Sequence, residues 1–468
     1  MESITTVILA AGKGTRMKSN LVKVLHPILG LPMLSYPIEV SLKGIKSEKT
    51  IVVVGYQADQ IKKRFKDHQI EFALQEEQLG TGHAALQAVP FLREIAGTVL
   101  ILCGDVPLVK ADTLRSFIDA YGKSKAVLSV LTTEAKDPSG YGRILRSSKG
   151  WVEKIVEEKD ASEKEKSIRE INTGIYCVKA SFMMEGLTEI GKDNAQGEYY
   201  LTDLVGIAKK KRLRCSAYCV ANPVEVMGIN TRVDLAVANE VIKLEKLKEL
   251  MLSGVTVLDP RTTYVERTVE VGRETTLYSN CYLYGTTKIG ERCIIESNST
   301  IADSVLGNDV TIRSNVVITE SRVEDGVIIG PFAHLRPSSE IKARAKIGNF
   351  VEVKKSVVGK GSKANHLAYI GDASVGEGVN IGAGTIFCNY DGFEKHRTTI
   401  GDGVFVGSNV ELVAPVKVGN GSTIGAGSTI TKDVPGGALA ISRTKQKNIK
   451  GWSKRIERRR KKMKNGKE

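Results

Sequence analysis

The chain has 468 residues, 41% of them hydrophobic and 26% charged, room for about three domains at ~150 residues each. That balance excludes wholesale disorder, collagen and a disulfide scaffold, and no apolar run nears the roughly 18 residues of a membrane span. Of the net charge of +15, +11 belongs to Arg443–Glu468, where thirteen Lys/Arg face two acids, so the body is nearly balanced and the basic pI describes one tail. Met1–Ala11 is apolar but begins with Glu2 and lacks the basic start and cleavage site of a signal peptide. Seven cysteines are scattered without a CxxC pair, so neither a disulfide framework nor zinc is indicated, and a cytoplasmic location is expected.

From Met1 to Asn230, short apolar runs alternate with longer polar stretches. Thr5–Ala11, Thr50–Val54, Thr98–Gly104 and Ala126–Leu131 are rich in Val, Ile and Leu, which predicts an α/β unit with a mainly parallel sheet and helices on both faces. Ligands of such sheets gather at strand carboxyl ends, where Gly12 and Asp105 fall. Leu9-Ala10-Ala11-Gly12-Lys13-Gly14-Thr15-Arg16-Met17 reads as a strand entering a glycine turn. Its N–H groups are free to approach phosphate oxygens, and Arg16 and Lys23 supply cations. No GK[ST] closes it, so it is not a P-loop, and alone such a turn is only a turn.

Thr231–Leu252 carries apolar residues at helical spacing and predicts one amphipathic connecting helix. Beyond Gly254 the period becomes six. Ile289, Ile295 and Ile301 are followed by Leu306, Ile312 and Ile318, then by Ile329, Leu335, Ile341, Ile347 and Val353. Ile400, Val406, Leu412, Val418, Ile424 and Ile430 form the clearest run. Strict sixes predict a parallel β-helix, each apolar residue pointing into a narrow prism. Cys388–Arg397 interrupts the sixes with a polar, aromatic loop that projects from one face. Ala364–Asp372 interrupts them again around His366, one of only six histidines and a side chain suited to general-base work near neutrality. Lys454–Lys464 is so densely basic that a disordered or frayed helical segment is expected. Nucleic acid or an anionic membrane face is one reading of it, and a solubilising end the more economical one.

The run LAAGKGTRM with KVLHP resembles the signature of the sugar-nucleotide pyrophosphorylases. Gln75, Gln78–Ala84, Gly104–Leu108, Gly140–Ile144, Ile155–Glu157, Glu170–Gly174 and Gly228–Asn230 follow in the same order. With the hexapeptide half, roughly 440 residues resemble the bacterial bifunctional N-acetylglucosamine-1-phosphate uridylyltransferase/glucosamine-1-phosphate N-acetyltransferases. The resemblance implies a Rossmann-like nucleotidyltransferase domain (1–230), a linker helix (231–252), a left-handed β-helix acetyltransferase domain (253–442) and a basic tail (443–468). It implies that Asp105 and Asn230 hold Mg²⁺, that Arg16 and Lys23 neutralise the triphosphate of UTP over the turn Leu9, Ala10, Ala11 and Gly12, and that Gln75, Gly80 and Thr81 read the uracil. Gly142, Glu157 and Asn172 would hold the sugar, although composition alone reads Glu157 as a solvated acid.

In the second half the resemblance makes His366 the catalytic base. It gives Arg336, Lys354, Tyr369 and Asn380 to glucosamine 1-phosphate, and Ala383, Asn389, Tyr390, Ser408, Ala426 and Arg443 to acetyl-CoA. It also implies a homotrimer. Two positions depart from the family's pattern: Val22 stands where Pro is usual and Cys103 where Tyr is common. The leading expectation is a two-site enzyme making UDP-N-acetylglucosamine. Its rivals are a pyrophosphorylase whose β-helix only oligomerises or regulates it and a nucleic-acid binder on an old scaffold. His366, Arg336 and Lys354 weigh against the first rival, and the balanced body charge against the second.

Overall fold

Ile4–Leu9 (β1) is six residues of β-branched and aliphatic character, and its side chains divide strictly between two apolar clusters, Val7 into one and Ile8 into the other. The same division holds in Lys49–Val54 (β2) and, from Val99 to Leu102, in Thr98–Cys103 (β4). A strand buried on both faces reads as an unbroken apolar run. In a computed structural model that describes residues 3–93 and 95–465, β1 and β2 join Glu71–Leu74 (β3), β4, Leu128–Glu134 (β5), Arg143–Arg146 (β6), Val152–Val156 (β7), Glu170–Lys179 (β8) and Cys215–Val220 (β9) in one sheet. Its main path runs β9-β5-β8-β4-β1-β2-β3.

The sheet is mainly parallel, but β8 runs antiparallel to both β4 and β5. One face is covered by Thr81–Gln87, Ala180–Leu187 and Asp203–Lys210, the other by Ala111–Ser124 through Leu114 and Phe117. β1 stops at Leu9, two residues before the expected end, where the chain leaves for the glycine turn. β5 runs past its expected end to Glu134 because its backbone stays paired with β8 on one edge and β9 on the other, and Thr132 Oγ1 donates to Glu170 at 2.7 Å and Thr133 Oγ1 to the Val220 carbonyl at 2.9 Å.

The connecting helix is Arg232–Leu252. Its start is capped reciprocally: Asp234 Oδ2 accepts from the N–H of Asn230 (3.0 Å) and Thr231 (2.8 Å), and Thr231 Oγ1 accepts from the Asp234 N–H at 3.2 Å. Contacts divide the chain into two compact units between Lys246 and Leu247, inside this helix. Its last turn therefore belongs to the second unit, where Leu247 and Leu250 join the β-helix core.

That second unit is a three-faced parallel β-helix with sheets of eleven, ten and nine strands. Each apolar residue of the sixes is buried, and they stack by whole coils: Ile295 over Ile312, Ile329 and Ile347 on one face, Ile301 over Ile318, Leu335 and Val353 on the next. Between Val375 and Ile400 the coil is lengthened by the predicted insertion, whose Tyr390–Lys395 bridge leaves Phe393 93% exposed. Trp452–Asn465 forms a helix beyond the coils, the helical of the two states expected of it. Lys, Arg and Met are good helix formers, which offsets their mutual repulsion. Among the described residues, no helix is long and apolar enough to cross a membrane.

Candidate functional site

In the first unit, the carboxyl ends of β1 and β4 open onto a cleft of about 320 Å³. Of the expected residues, Leu9, Ala10, Ala11, Gly12, Lys23, Gln75, Gly80, Thr81 and Asp105 line it. Gly12 faces open space, since a Cβ there would meet nothing within 4 Å. Gly14 is required twice over: its φ is +63°, and a Cβ would sit 2.5 Å from the Lys23 Cβ. The glycine thus lets the lysine stem lie against the turn.

At the cleft floor the polar groups converge. Lys23 Nζ donates to Asp105 Oδ2 and, at 2.9 Å, to Asn230 Oδ1, which also accepts from Arg16 Nη2 at 2.8 Å. The Asp105 carbonyl accepts from the Ile229 N–H at 2.8 Å, tying the two segments together. On the opposite wall Gln75 is buried and donates to the Gly80 carbonyl at 3.1 Å. Thr81 Oγ1 accepts from the Leu201 N–H at 3.1 Å.

Gly142, Glu157 and Asn172 do not line that cleft but form a second group beside it. A Cβ on Gly142 would lie 3.4 Å from both Glu157 carboxylate oxygens, and the Asn172 N–H donates to the Gly142 carbonyl at 2.8 Å. Asn172 Oδ1 accepts from the Gly174 N–H and the Tyr176 hydroxyl, each at 3.0 Å. The β8 register shifts between Asn172 and Tyr176, a bulge that re-aims Asn172. Cys103 joins the two groups: it lines the cleft and its Sγ donates to the Gly174 carbonyl at 3.3 Å. Burial pushes its thiol well above the ordinary range. Burial also raises the Glu157 carboxyl, against the Thr202 hydroxyl that bonds it at 3.3 Å. Val22, the other departure, is buried and leads into the short helical turn Lys23–Leu25.

In the second unit the register brings distant residues into columns. Asn349 pairs with His366, and two residues beyond the stacked Ala364, Ile381, Val406 and Ile424 stand His366, Ala383, Ser408 and Ala426. His366 and three of the positions expected to contact acetyl-CoA therefore occupy one edge of the prism, and Arg443 Nη1 donates to the Ala426 carbonyl at 2.8 Å. The glycines beside them serve the coils: a Cβ on Gly382 would lie 2.4 Å from Gly407, and one on Gly407 2.6 Å from the Ala426 nitrogen. His366 Nδ1 is 2.6 Å from Asn349 Oδ1, in a groove of about 270 Å³ that Arg313, Lys346 and Asn365 also line.

Lys354, Tyr369 and Asn389 gather elsewhere, around Asp372. Lys354 Nζ lies 3.1 Å from Asp372 Oδ2, and Asn389 Nδ2 donates to the same oxygen and, at 3.5 Å, to the Tyr369 hydroxyl. Arg336 stacks one coil below Lys354 and bonds Glu352 at 2.9 Å. Burial opposes ionisation of Asp372, but the Lys354 ammonium and the Asn389 amide outweigh it and hold the carboxyl below its ordinary range. Within one chain, none of Arg336, Lys354 or Tyr369 lines the His366 groove. Asn380 lies on the same face as His366 and pairs with Lys363, while Tyr390 is exposed in the inserted loop.

Four residues escaped sequence reasoning. Asp234 is announced by Thr231-x-x-Asp234 before an apolar run, a helix-start signal. Asn349 and Asp372 lie 17 and 18 residues from their partners His366 and Lys354, one coil in each case, and counting coils instead of sixes finds them. Glu198 in the cleft wall has no sequence signal we recognise.

Models of known families match three stretches: nucleotidyl transferase over residues 5–218, the hexapeptide repeat of succinyl-transferase over 286–320, and bacterial transferase hexapeptide (six repeats) over 397–432. Among whole proteins, the chain is 53% identical over 470 residues to the bifunctional protein GlmU of Geobacter metallireducens, covering 97% of this chain and 98% of the relative. It is 50% identical to that of Geotalea uraniireducens, covering 97% and 99%, and 50% identical to that of a Geobacillus species, covering 96% and 97%. With both halves matched end to end in order, the chain belongs to the family of bifunctional GlmU proteins.

Proposed function

We infer that the chain acetylates glucosamine 1-phosphate with acetyl-CoA in its β-helix unit. It then joins the resulting N-acetylglucosamine 1-phosphate to the uridylyl group of UTP in its α/β unit, releasing pyrophosphate. The observation that carries the second step is the convergence of Arg16, Lys23, Asp105 and Asn230 at the ends of β1 and β4. The Lys23 and Arg16 cations offset triphosphate charge there, while the open backbone at Gly12 admits phosphate oxygens. Gln75, Gly80 and Thr81 wall the base, and Gly142, Glu157 and Asn172 take the sugar.

Asp105 and Asn230 also suit Mg²⁺. Their side-chain oxygens already share one cation, the Lys23 ammonium, and Mg²⁺ takes a few protein oxygens while keeping waters and substrate phosphates. Bound there, it would supply further neutralisation of phosphate charge.

For acetyl transfer, Asn349 Oδ1 accepts the Nδ1 hydrogen of His366, which leaves the Nε2 lone pair to take the amine proton. Ala383, Ser408, Ala426 and Arg443 run along the edge for acetyl-CoA, joined by Asn389 and Tyr390 of the loop. Arg336, Lys354, Tyr369 and Asn380 hold the amino-sugar phosphate. The separation of Lys354 from the His366 groove within one chain favours a homotrimer whose neighbouring copies complete each site. A cytoplasmic location accords with these substrates.

The test is to incubate the protein with glucosamine 1-phosphate, acetyl-CoA, UTP and Mg²⁺ and follow free thiol, pyrophosphate and nucleotide sugar together. All three rise if both sites work. Product from pre-acetylated sugar phosphate alone would reduce the β-helix to a scaffold. Asp105→Ala should abolish uridylyl transfer and spare acetyl transfer, and loss of both in a folded variant would refute the division.

A further inference from the structure

The helix Trp452–Asn465 holds eight Lys/Arg and one acid, Glu457, and no substrate step uses it. At 3.6 residues per turn, Trp452, Ile456 and Met463 fall within about 40° of one another, with Arg459 on the same stripe. Trp452 is 55% and Met463 75% exposed, so within one chain this apolar face lies open. Arg455 and Lys462 flank it on one side and Arg460 on the other, Lys464 and Glu457 lie farther round together, and Lys454, Arg458 and Lys461 form the opposite, charged face. A merely solubilising segment has no need of an apolar stripe. A phosphodiester backbone answers the cations but leaves the stripe without a partner.

Both halves of the pattern match one surface. Anionic lipid headgroups pair with the flanking cations while Trp452, Ile456 and Met463 enter the acyl boundary, and the Arg459 stem lies along that boundary with its guanidinium at phosphate level. We propose that Trp452–Asn465 docks this protein peripherally on anionic lipid bilayers, its axis in the plane of the surface.

The test sediments the full chain with phosphatidylcholine vesicles containing about one-third phosphatidylserine, and with pure phosphatidylcholine. The expected result is binding to the anionic vesicles alone. It should fade between about 0.1 M and 1 M salt, as the Debye length shrinks from about 10 Å to about 3 Å. Ile456→Gln with Met463→Gln keeps every charge and should weaken binding about tenfold or more, with both transfer activities unchanged. Failure to bind anionic vesicles overturns the proposal. So does undiminished binding by the double variant, which would mark charge-only adhesion to any polyanion.

Discussion

Replacing Asp372 with alanine removes the carboxylate facing the Lys354 ammonium at 3.1 Å, where the two side chains are only 18% and 9% exposed. At an effective dielectric of ~20, unit charges at that separation attract by roughly 5 kcal/mol, and desolvation cancels a large share. The larger effect is the orphaned cation, which costs about 3–5 kcal/mol when one partner of a buried pair is lost. Lys395 beside Lys354 adds a second positive charge to the same point. We expect a loss of about 3 kcal/mol in the β-helix unit, roughly 6–12 °C of Tm for a unit of this size. Adding Lys354→Met to Asp372→Ala removes the stranded charge and should restore most of the loss, since coupled neighbours are non-additive. Inorganic phosphate should raise the Tm of the single variant more than that of the parent. Calorimetry of the parent, both single variants and the double completes the cycle. A double variant that melts with Asp372→Ala, or lower, would refute the reasoning. Because the Asp372 carboxyl is held below its ordinary range, its contribution is present above that range and fades as pH falls through the depressed value.

Asp234→Ala removes the acceptor of two backbone N–H groups, one of them that of Asn230. A cap of this kind is worth about 1 kcal/mol, so the Mg²⁺ concentration for half-maximal uridylyl transfer should rise several-fold while acetyl transfer holds, as titration of each activity will show. His366→Ala should lose acetyl transfer by ~10²–10⁴-fold. Asn349→Ala should lose about tenfold with a shifted pH–rate profile, and near-normal turnover of the histidine variant would end its assignment as base. The raised Glu157 carboxyl is protonated over a window above the ordinary carboxylate range. The KM for sugar phosphate should therefore climb as pH falls through the raised value, and Glu157→Gln should abolish that dependence. The sign for stability is opposite: burial favours the neutral acid, so its contribution is present at low pH and lost as pH rises through the raised value.

The residues that were legible act through their own chain neighbourhood. Ile295, Ile312 and Ile329 declare themselves because every coil repeats one geometry, and Gly12 and Asp105 because glycine and polar turn residues break the apolar run at a strand end. Asn172 was legible only through a family motif, since its aim depends on a bulge in β8 and on the Gly174 N–H and Tyr176 hydroxyl that donate to it. Asn349 and Asp372 were missed for a related reason: each acts on a residue one coil away, and nothing local distinguishes it from an ordinary polar edge residue. The mixed polarity of the sheet escaped as well, because β8 has the same apolar texture as its parallel neighbours and its direction is set by how the chain returns to it.

The column that holds His366, Ala383, Ser408 and Ala426 has a metric consequence. Neighbouring strands are about 4.8 Å apart, so His366 and Ala426, three coils distant, are separated by roughly 14 Å along the prism. Under the proposed function, the coils would act as a graduated ruler that sets how far the thioester lies from the group anchoring the other end of its carrier. Removing one whole coil from between them would shorten the scale by a single graduation and leave every side chain on its own face. Removing six residues would keep the core apolar yet turn the scale onto a different side of the prism, parting the anchor from the base.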